Sequence, residues 1–337
     1  MDFIKQNRSL DVATEIYNSR IEDAKIIFNK FGDKFEFRNC PYCDYNEYTE
    51  NEKFLNLYSV VCCNKCNSQY VNPSPNNEAL NYYYNNCKCN ELLDNLFKKR
   101  NKEKSDKNFI LDIRIQKIRD ILSNKDKNDK IFILEIGCGS GPFLNKLRNN
   151  LLEEYKNIVY HGLDIDETIT KNNSTNEVKL FCGDAETFDN NIKYDIILNF
   201  ELIEHLFNPN RFIKNINKLL KDEGHCLLTT PNSNGLETKA ISYNSFRLLA
   251  HSIFPPMHLN AFNTQNIYYF FLNNNFKVVS IETPGNFDMS ILKYSKDDLK
   301  DNMIKKIVTE DEDSFEKYQH IVKYLNGSSH MLCVFKK

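Results

Sequence analysis

The chain has 337 residues, 41% of them hydrophobic and 27% charged, enough for one large domain or two. A net charge of −2 gives no global attraction for nucleic acid. No apolar run approaches a membrane span and the opening MDFIKQNRSLD lacks a signal-peptide core, so the sequence reads as cytoplasmic, with neither membrane nor nucleic-acid partners.

Residues 9–31 show helical spacing of Ile16, Ile21, Ala24, Ile27, Phe28 and Phe31 and stop before Gly32. Short β-like pieces punctuated by cysteines follow over 37–72. Of eleven cysteines, seven fall between Cys40 and Cys89. In a reducing compartment such clustering points to metal ligands or buried thiols rather than disulfides. Cys40-Pro-Tyr-Cys43 is followed nineteen residues later by Cys63-Asn-Lys-Cys66. Paired CxxC knuckles at that separation suit tetrahedral zinc held by four thiolates, with no open position and hence a structural role. A redox CxxC is the rival reading. Cys62 beside Cys63 offers an alternative register. Cys87-Lys-Cys89 is too close for a knuckle and reads as exposed or half-buried thiols on a helix. VNPSPN at 71–76 breaks the chain, helices are expected over 77–98 and 107–123, and 123–130 is a polar connector.

From 131 the pattern changes. IFILEIG, NIVYHGLDI, VKLFCGD, YDIILNF, HCLLTTPN, FKVVSIETPG and HMLCVFKK are apolar runs separated for the most part by helix-like segments. That alternation predicts an α/β fold with a doubly wound, mostly parallel sheet. Two inserts interrupt it, near 237–262 and 288–328. They are expected to shape a substrate pocket.

Glu135-Ile-Gly137-Cys138-Gly139-Ser-Gly141 follows the first of these strands and opens a helix. Its spacing is GxGxG. The second strand ends in Asp164-Ile165, placed for two ribose hydroxyls, and the third in Gly183-Asp184-Ala185, placed for an adenine edge. A ligand with ribose and adenine but no pyrophosphate fits this set. ILEIGCGSG, GLDID and FCGDAE resemble the motifs of class I S-adenosylmethionine (SAM)-dependent methyltransferases. The resemblance implies a Rossmann-like seven-stranded methyltransferase sheet over 129–337. It implies that Glu135, Gly137, Cys138, Gly139 and Gly141 surround the methionine part, with Asp164 at the ribose, Asp184 and Ala185 at the adenine, and Ile165 and Phe200 also among the cofactor-binding residues. The front resembles the zinc-binding domain of some sugar methyltransferases. It divides into a helical segment (1–36), a zinc-ribbon domain (37–75) and a helical connector (76–128). A tyrosine among Tyr82, Tyr83 and Tyr84 is expected near the cofactor, or else in ordinary packing.

NFELIEHLFNP, 199–209, follows the fourth strand of that sheet. On a helix Glu201, Glu204 and His205 would share one face. Their place at a strand's carboxyl end makes them catalytic candidates, and His258 in PPMHLNAF is able to join them. Two carboxylates and two imidazoles suit a second divalent site for Mg, Mn, Fe or Zn. They equally suit a general base with its orienters, or a structural cluster. ELIEHL with TTPN and a later histidine is similar to metal-dependent O-methyltransferases acting on vicinal hydroxyls. The expected activity is methyl transfer to a small polar acceptor, a sugar or nucleotide-sugar hydroxyl, with C- or N-methylation as alternatives. A catalytically silent SAM-binding, partner-binding protein is the reading from another class. His161 reads as structural, and His330 lies either at the carboxyl-side loops or at the opposite edge.

Overall fold

The computed structural model describes residues 10–90, 92–93, 109–247, 249, 251–299, 301–309 and 312–337. The predicted helix segments 94–98 and 107–108 lie outside them, as does Ser9. Helix α1 (Leu10–Phe31) leads into strands β1 (Tyr48–Phe54), β2 (Tyr58–Cys63) and β3 (Gln69–Val71), then helices α2 (Asn77–Asn86) and α3 (Phe109–Leu122). The larger sheet begins with β4 (Ile131–Ile136), α4 (Pro142–Leu151), β5 (Ile158–Asp164), α5 (Glu167–Asn173), β6 (Val178–Cys182) and β7 (Tyr194–Phe200). It continues through α6 (Pro209–Leu219), β8 (Leu220–Pro231), α7 (Leu236–Ala240), β9 (Asn260–Ala261), α8 (Thr264–Leu272) and β10 (Lys277–Glu282). Helices α9 (Asp288–Tyr294), α10 (Asn302–Thr309) and α11 (Glu312–Tyr324) precede the final strand β11 (His330–Lys336).

The seven-stranded sheet has the order β10-β11-β8-β7-β4-β5-β6. Strands β4 to β8 run parallel, and β11 is antiparallel to both β8 and β10. This is the α/β, Rossmann-like sheet expected from the sequence. Central strands β4 and β7 are Ile- and Leu-rich because both of their faces are covered. One face packs Ile115 and Ile118 of α3 with Leu144 and Leu147 of α4. The other packs Phe212 and Ile216 of α6 with Phe270 and Phe271 of α8. Strand order reverses between β4 and β7, so a crevice opens at their carboxyl ends. Strand β8 starts earlier than its apolar run because the polar Lys221–Gly224 stretch forms a bulge, with Glu223 at φ +63.

A second sheet, β1-β2-β3-β9, is antiparallel throughout. Its last strand comes from the first insert, so this sheet is completed by a segment far away in sequence. Arg38 ties the same parts together. Its guanidinium donates to the carbonyls of Phe207 (2.8 Å), Val71 (3.2 and 3.3 Å) and Leu259 (3.0 Å). Cys40, Tyr42, Val61, Cys63 and Tyr70 share one core with the large sheet. The two inserts pack on each other through Ile241, Met289, Leu292, Val308 and Val322.

Cys87 and Cys89 correct the sequence reading: both are buried, and Cys87 ends α2 in an extended conformation. The backbone N–H groups of Lys88 and Cys89 are taken up by the Asp23 carboxylate, which pulls this turn against α1. Among the described residues no helix is long and apolar enough to cross a membrane.

Candidate active site

The four predicted zinc ligands come together. Cys40 Sγ and Cys66 Sγ are 3.6 Å apart, as are Cys43 Sγ and Cys63 Sγ. A tetrahedron with metal–sulfur distances of about 2.3 Å has edges of about 3.8 Å, so the thiols fit one ion. Each knuckle ends in a left-handed residue, Asp44 (φ +59) after Cys43 and Asn67 (φ +56) after Cys66. Asp and Asn tolerate that conformation, and it turns the chain back after the second thiol. Cys62 stays outside the group, which fixes the register on Cys63.

The glycine loop lies at the carboxyl end of β4. Gly137 and Cys138 donate to the Leu163 carbonyl, and Gly139 N–H donates to Asp164 Oδ2 at 2.7 Å. Gly139 has φ +52, and a Cβ there would meet no atom within 4 Å, so the loop presents bare backbone to an open cradle. Gly162 is needed for a different reason: a Cβ on β5 would meet Cys138 Sγ and Leu180 Cδ2 at 2.6 Å. Cys138 is buried beneath the loop, and Gly141 caps α4 at φ +76. Glu135 is buried on the cleft floor, and its Oε2 has no partner. Burial pushes its pKa up to about 8, opposed by the Arg114 guanidinium. Ile165 is 65% exposed, an apolar side chain left open beside Asp164. Asp184 Oδ1 accepts from Glu186 N–H, and the Ala185 carbonyl is held by Asn215. Phe200 lies between Arg114, whose guanidinium is 4.1 Å from the ring centroid, and Phe143, at 4.8 Å edge to face.

The segment after β7 is not a helix. Residues 201–206 form a turn, and Glu201 adopts φ +52. Glu201 therefore leaves the face expected for it. Its Oε1 accepts from Thr229 Oγ1 at 2.6 Å and is 2.7 Å from His330 Nε2 and 3.5 Å from Arg114 Nη2. Burial alone would raise this carboxyl; His330 and Arg114 together hold it well below the usual carboxylate range. Glu204, His205 and His258 do converge, with ligand atoms within 4.8 Å of one another. The expected four-member set is thus a three-member set, and Glu201 belongs to a separate cluster at the cleft.

Glu204 is fully buried, with Oε2 accepting from Thr230 Oγ1 at 3.0 Å and Oε1 without a hydrogen-bond partner. His205 Nε2 lies 3.7 Å from that oxygen. His205 Nδ1 is 2.9 Å from Tyr84 Oη. His258 Nδ1 donates to the His251 carbonyl at 2.7 Å, so Nε2 carries the lone pair. The two rings meet edge to face at 4.8 Å. Burial pushes His205 down to about 4 and His258 well below its ordinary value. Burial, and then the neighbouring Glu201 charge, pushes Glu204 well up. Three residues escaped the sequence reading: Arg114, Thr229 and Thr230. TTPN entered only as a strand end and as part of a family resemblance, with no role given to its threonines, and Arg114 carried no motif. His330 falls at the carboxyl-side loops because β11 runs antiparallel to β8, pairing His330 with Pro231. His161 is buried against Tyr194 Oη at 3.0 Å, as a structural histidine.

The family profile described as a methyltransferase domain matches residues 84–281, more than half of the chain. The chain belongs to the methyltransferase-domain family. Over 107 residues this chain is 32% identical to the ubiquinone biosynthesis O-methyltransferase of Coxiella burnetii. The match takes in 30% of this chain and 43% of that relative, so the chain spans less than half the length of the curated protein it matches. It is also similar to the S-adenosylmethionine dependent methyltransferase from Mesorhizobium loti, at 10% identity and TM-score 0.42, covering 65% of this chain and 96% of the other. A third similarity is to the O-methyltransferase from a trans-AT PKS multienzyme of Brevibacillus brevis in complex with S-adenosyl-L-homocysteine. There the identity is 17% and the TM-score 0.40, covering 64% of this chain and 70% of the other.

Proposed function

We propose that this methyltransferase moves a methyl group from SAM to a hydroxyl oxygen of a small polar acceptor of the sugar or nucleotide-sugar class, in the cytoplasm. The observation that carries the oxygen acceptor is the group formed by Glu204, His205 and His258: one buried carboxylate oxygen without a partner and two uncharged imidazoles, at the carboxyl end of β7. An amine acceptor needs only orientation, whereas an alcohol needs its proton removed or its pKa lowered.

The cleft suits SAM on its own features. Glu135 Oε2 has no hydrogen-bond partner, Gly139 leaves open space, and Ile165 offers an exposed apolar surface. When bound, the cofactor supplies an activated methyl group. Asp164 would accept from ribose hydroxyls, each of its oxygens keeping a lone pair beyond the bonds from Gly139 and Asp166. Glu135 would face the ammonium, Ile165 the adenine and Asp184 its edge.

The donor set of Glu204 Oε1, His205 Nε2 and His258 Nε2 also suits a divalent ion of the Mg, Mn, Fe or Zn kind, which would lower the pKa of an acceptor hydroxyl. The His251 carbonyl and Tyr84 Oη would then act as the groups that orient the two rings. The alternative, His258 Nε2 as general base, is supported by the same fixed tautomer. The four thiols of Cys40, Cys43, Cys63 and Cys66 are proposed to hold a structural zinc.

The test is transfer of labelled methyl from SAM into small-molecule extract, with and without a chelator too mild to strip four thiolates. Label in a small product that the chelator abolishes supports metal assistance; label that survives it supports the base. Absence of micromolar binding of S-adenosylhomocysteine would sink the proposal.

A further inference from the structure

Arg20, on α1, has no hydrogen-bond or ion-pair partner among the described residues. Its guanidinium lies 5.8 Å from the centroid of the Phe254 ring. Phe254 is paired through its backbone to His258, N–H to O at 3.1 Å one way and 3.0 Å the other. One turn earlier on the same helix face, Tyr17 meets the Phe254 ring edge to face at 6.0 Å. The positive charge of Arg20 also acts on His205, His258 and Tyr83. Yet Arg20 Nε is buried with no acceptor, and no carboxylate among the described residues pairs with the guanidinium.

The other charges near the catalytic group are already engaged. Arg114 is taken up by Thr229, Glu201 and the face of Phe200. Glu201 is taken up by His330 and Thr229, and Glu204 lies across the cluster with Thr230. The imidazoles between them carry no compensating charge. The buried Nε is an unmet donor, and the planar guanidinium fork matches carboxylate or phosphate oxygens.

We propose that Arg20 binds an anionic oxygen group of the methyl acceptor, a carboxylate or a phosphate, and so helps choose the substrate. This rests on the methyl-transfer reading of the cleft. It narrows the acceptor from any polar molecule to one carrying an acid group within reach of the reacting hydroxyl.

The test titrates inorganic phosphate and malonate calorimetrically into the full chain, with and without S-adenosylhomocysteine. Wild type is compared with Arg20→Lys and Arg20→Gln. At least one anion should bind wild type and bind Arg20→Gln at least about tenfold more weakly, the loss expected from one charge-assisted contact, with Arg20→Lys between them. Preference for phosphate assigns a phosphorylated acceptor, and preference for malonate a carboxylated one. An anion held by a metal at Glu204, His205 and His258 would bind Arg20→Gln as well as wild type. That outcome, or no binding of either anion, overturns the proposal. Loss of S-adenosylhomocysteine binding in wild type would instead overturn the methyl-transfer reading, while the cofactor-free titration still decides the role of Arg20.

Discussion

If Glu135 faces the cofactor's ammonium as proposed, cofactor binding should be a proton-coupled event. Its carboxyl sits at the end of β4 with Oε2 buried and unpartnered, and burial pushes its pKa up to about 8 from an ordinary 4.5. At pH 7 such a group is roughly 90% protonated. A ligand that brings an ammonium to Oε2 favours the carboxylate, so the proton must leave on binding. Wyman linkage then gives release of about 0.9 proton per site at pH 7. The sign follows: affinity falls as pH drops below about 8, by up to about tenfold per unit, and levels off above it. Calorimetric titration of S-adenosylhomocysteine in phosphate and in Tris, whose ionisation enthalpies differ, measures the released proton directly. Glu135→Gln should bind more weakly and release none. Proton uptake, zero linkage in wild type, or release that persists in Glu135→Gln would each refute the reasoning.

The remaining predictions concern other parts of the chain. His258→Ala and Glu204→Gln should each lower methyl transfer by about 100-fold or more while S-adenosylhomocysteine binding stays within about threefold, because the glycine cradle does not touch them; equal loss of binding would count against their catalytic role. Elemental analysis should find one zinc per chain, lost together with thermal stability in Cys63→Ser and retained in Cys62→Ser, since only Cys63 stands in the thiol group. Arg38→Ala should cost on the order of 3 kcal/mol in urea unfolding, because the carbonyls of Val71, Phe207 and Leu259 lose donors at roughly 1 kcal/mol apiece or more; a change below about 1 kcal/mol would show that water replaces it.

The sheet was legible because its strands are hidden on both faces and so read as unbroken apolar runs ending at glycines or acids. The grouping of the four thiols was legible because knuckle geometry needs a fixed spacing. What failed was local: ELIEH carries helical spacing, but Glu201 takes a left-handed turn, held through its N–H to the Thr229 carbonyl and its carboxyl to Thr229, Arg114 and His330. Those partners come from α3, β8 and β11, so no window around residue 201 contains the information. Arg20 and Arg114 were missed for the same reason: each acquires meaning only from what the fold lays beside it.

The cysteine region is mechanically joined to the chemistry rather than appended to it. Val71 N–H donates to the Leu259 carbonyl, and Tyr70 pairs with Asn260 across β3 and β9. The N–H groups of Leu259 and Asn260 in turn both donate to the Glu204 carbonyl, and Asn260 Nδ2 donates to it and to the Leu206 carbonyl. Arg38, two residues before the first thiol, grips Val71, Leu259 and Phe207 at once. A two-residue strand such as β9 has too few ladder bonds to hold a position alone. The rigid partner it needs is β3, which follows closely after Cys66. The zinc proposed for the four thiols would therefore, by stiffening the two knuckles, also fix the backbone of Glu204, and His258 one residue before Leu259. Loss of the proposed metal should thus reach Glu204 and His258 through main-chain hydrogen bonds.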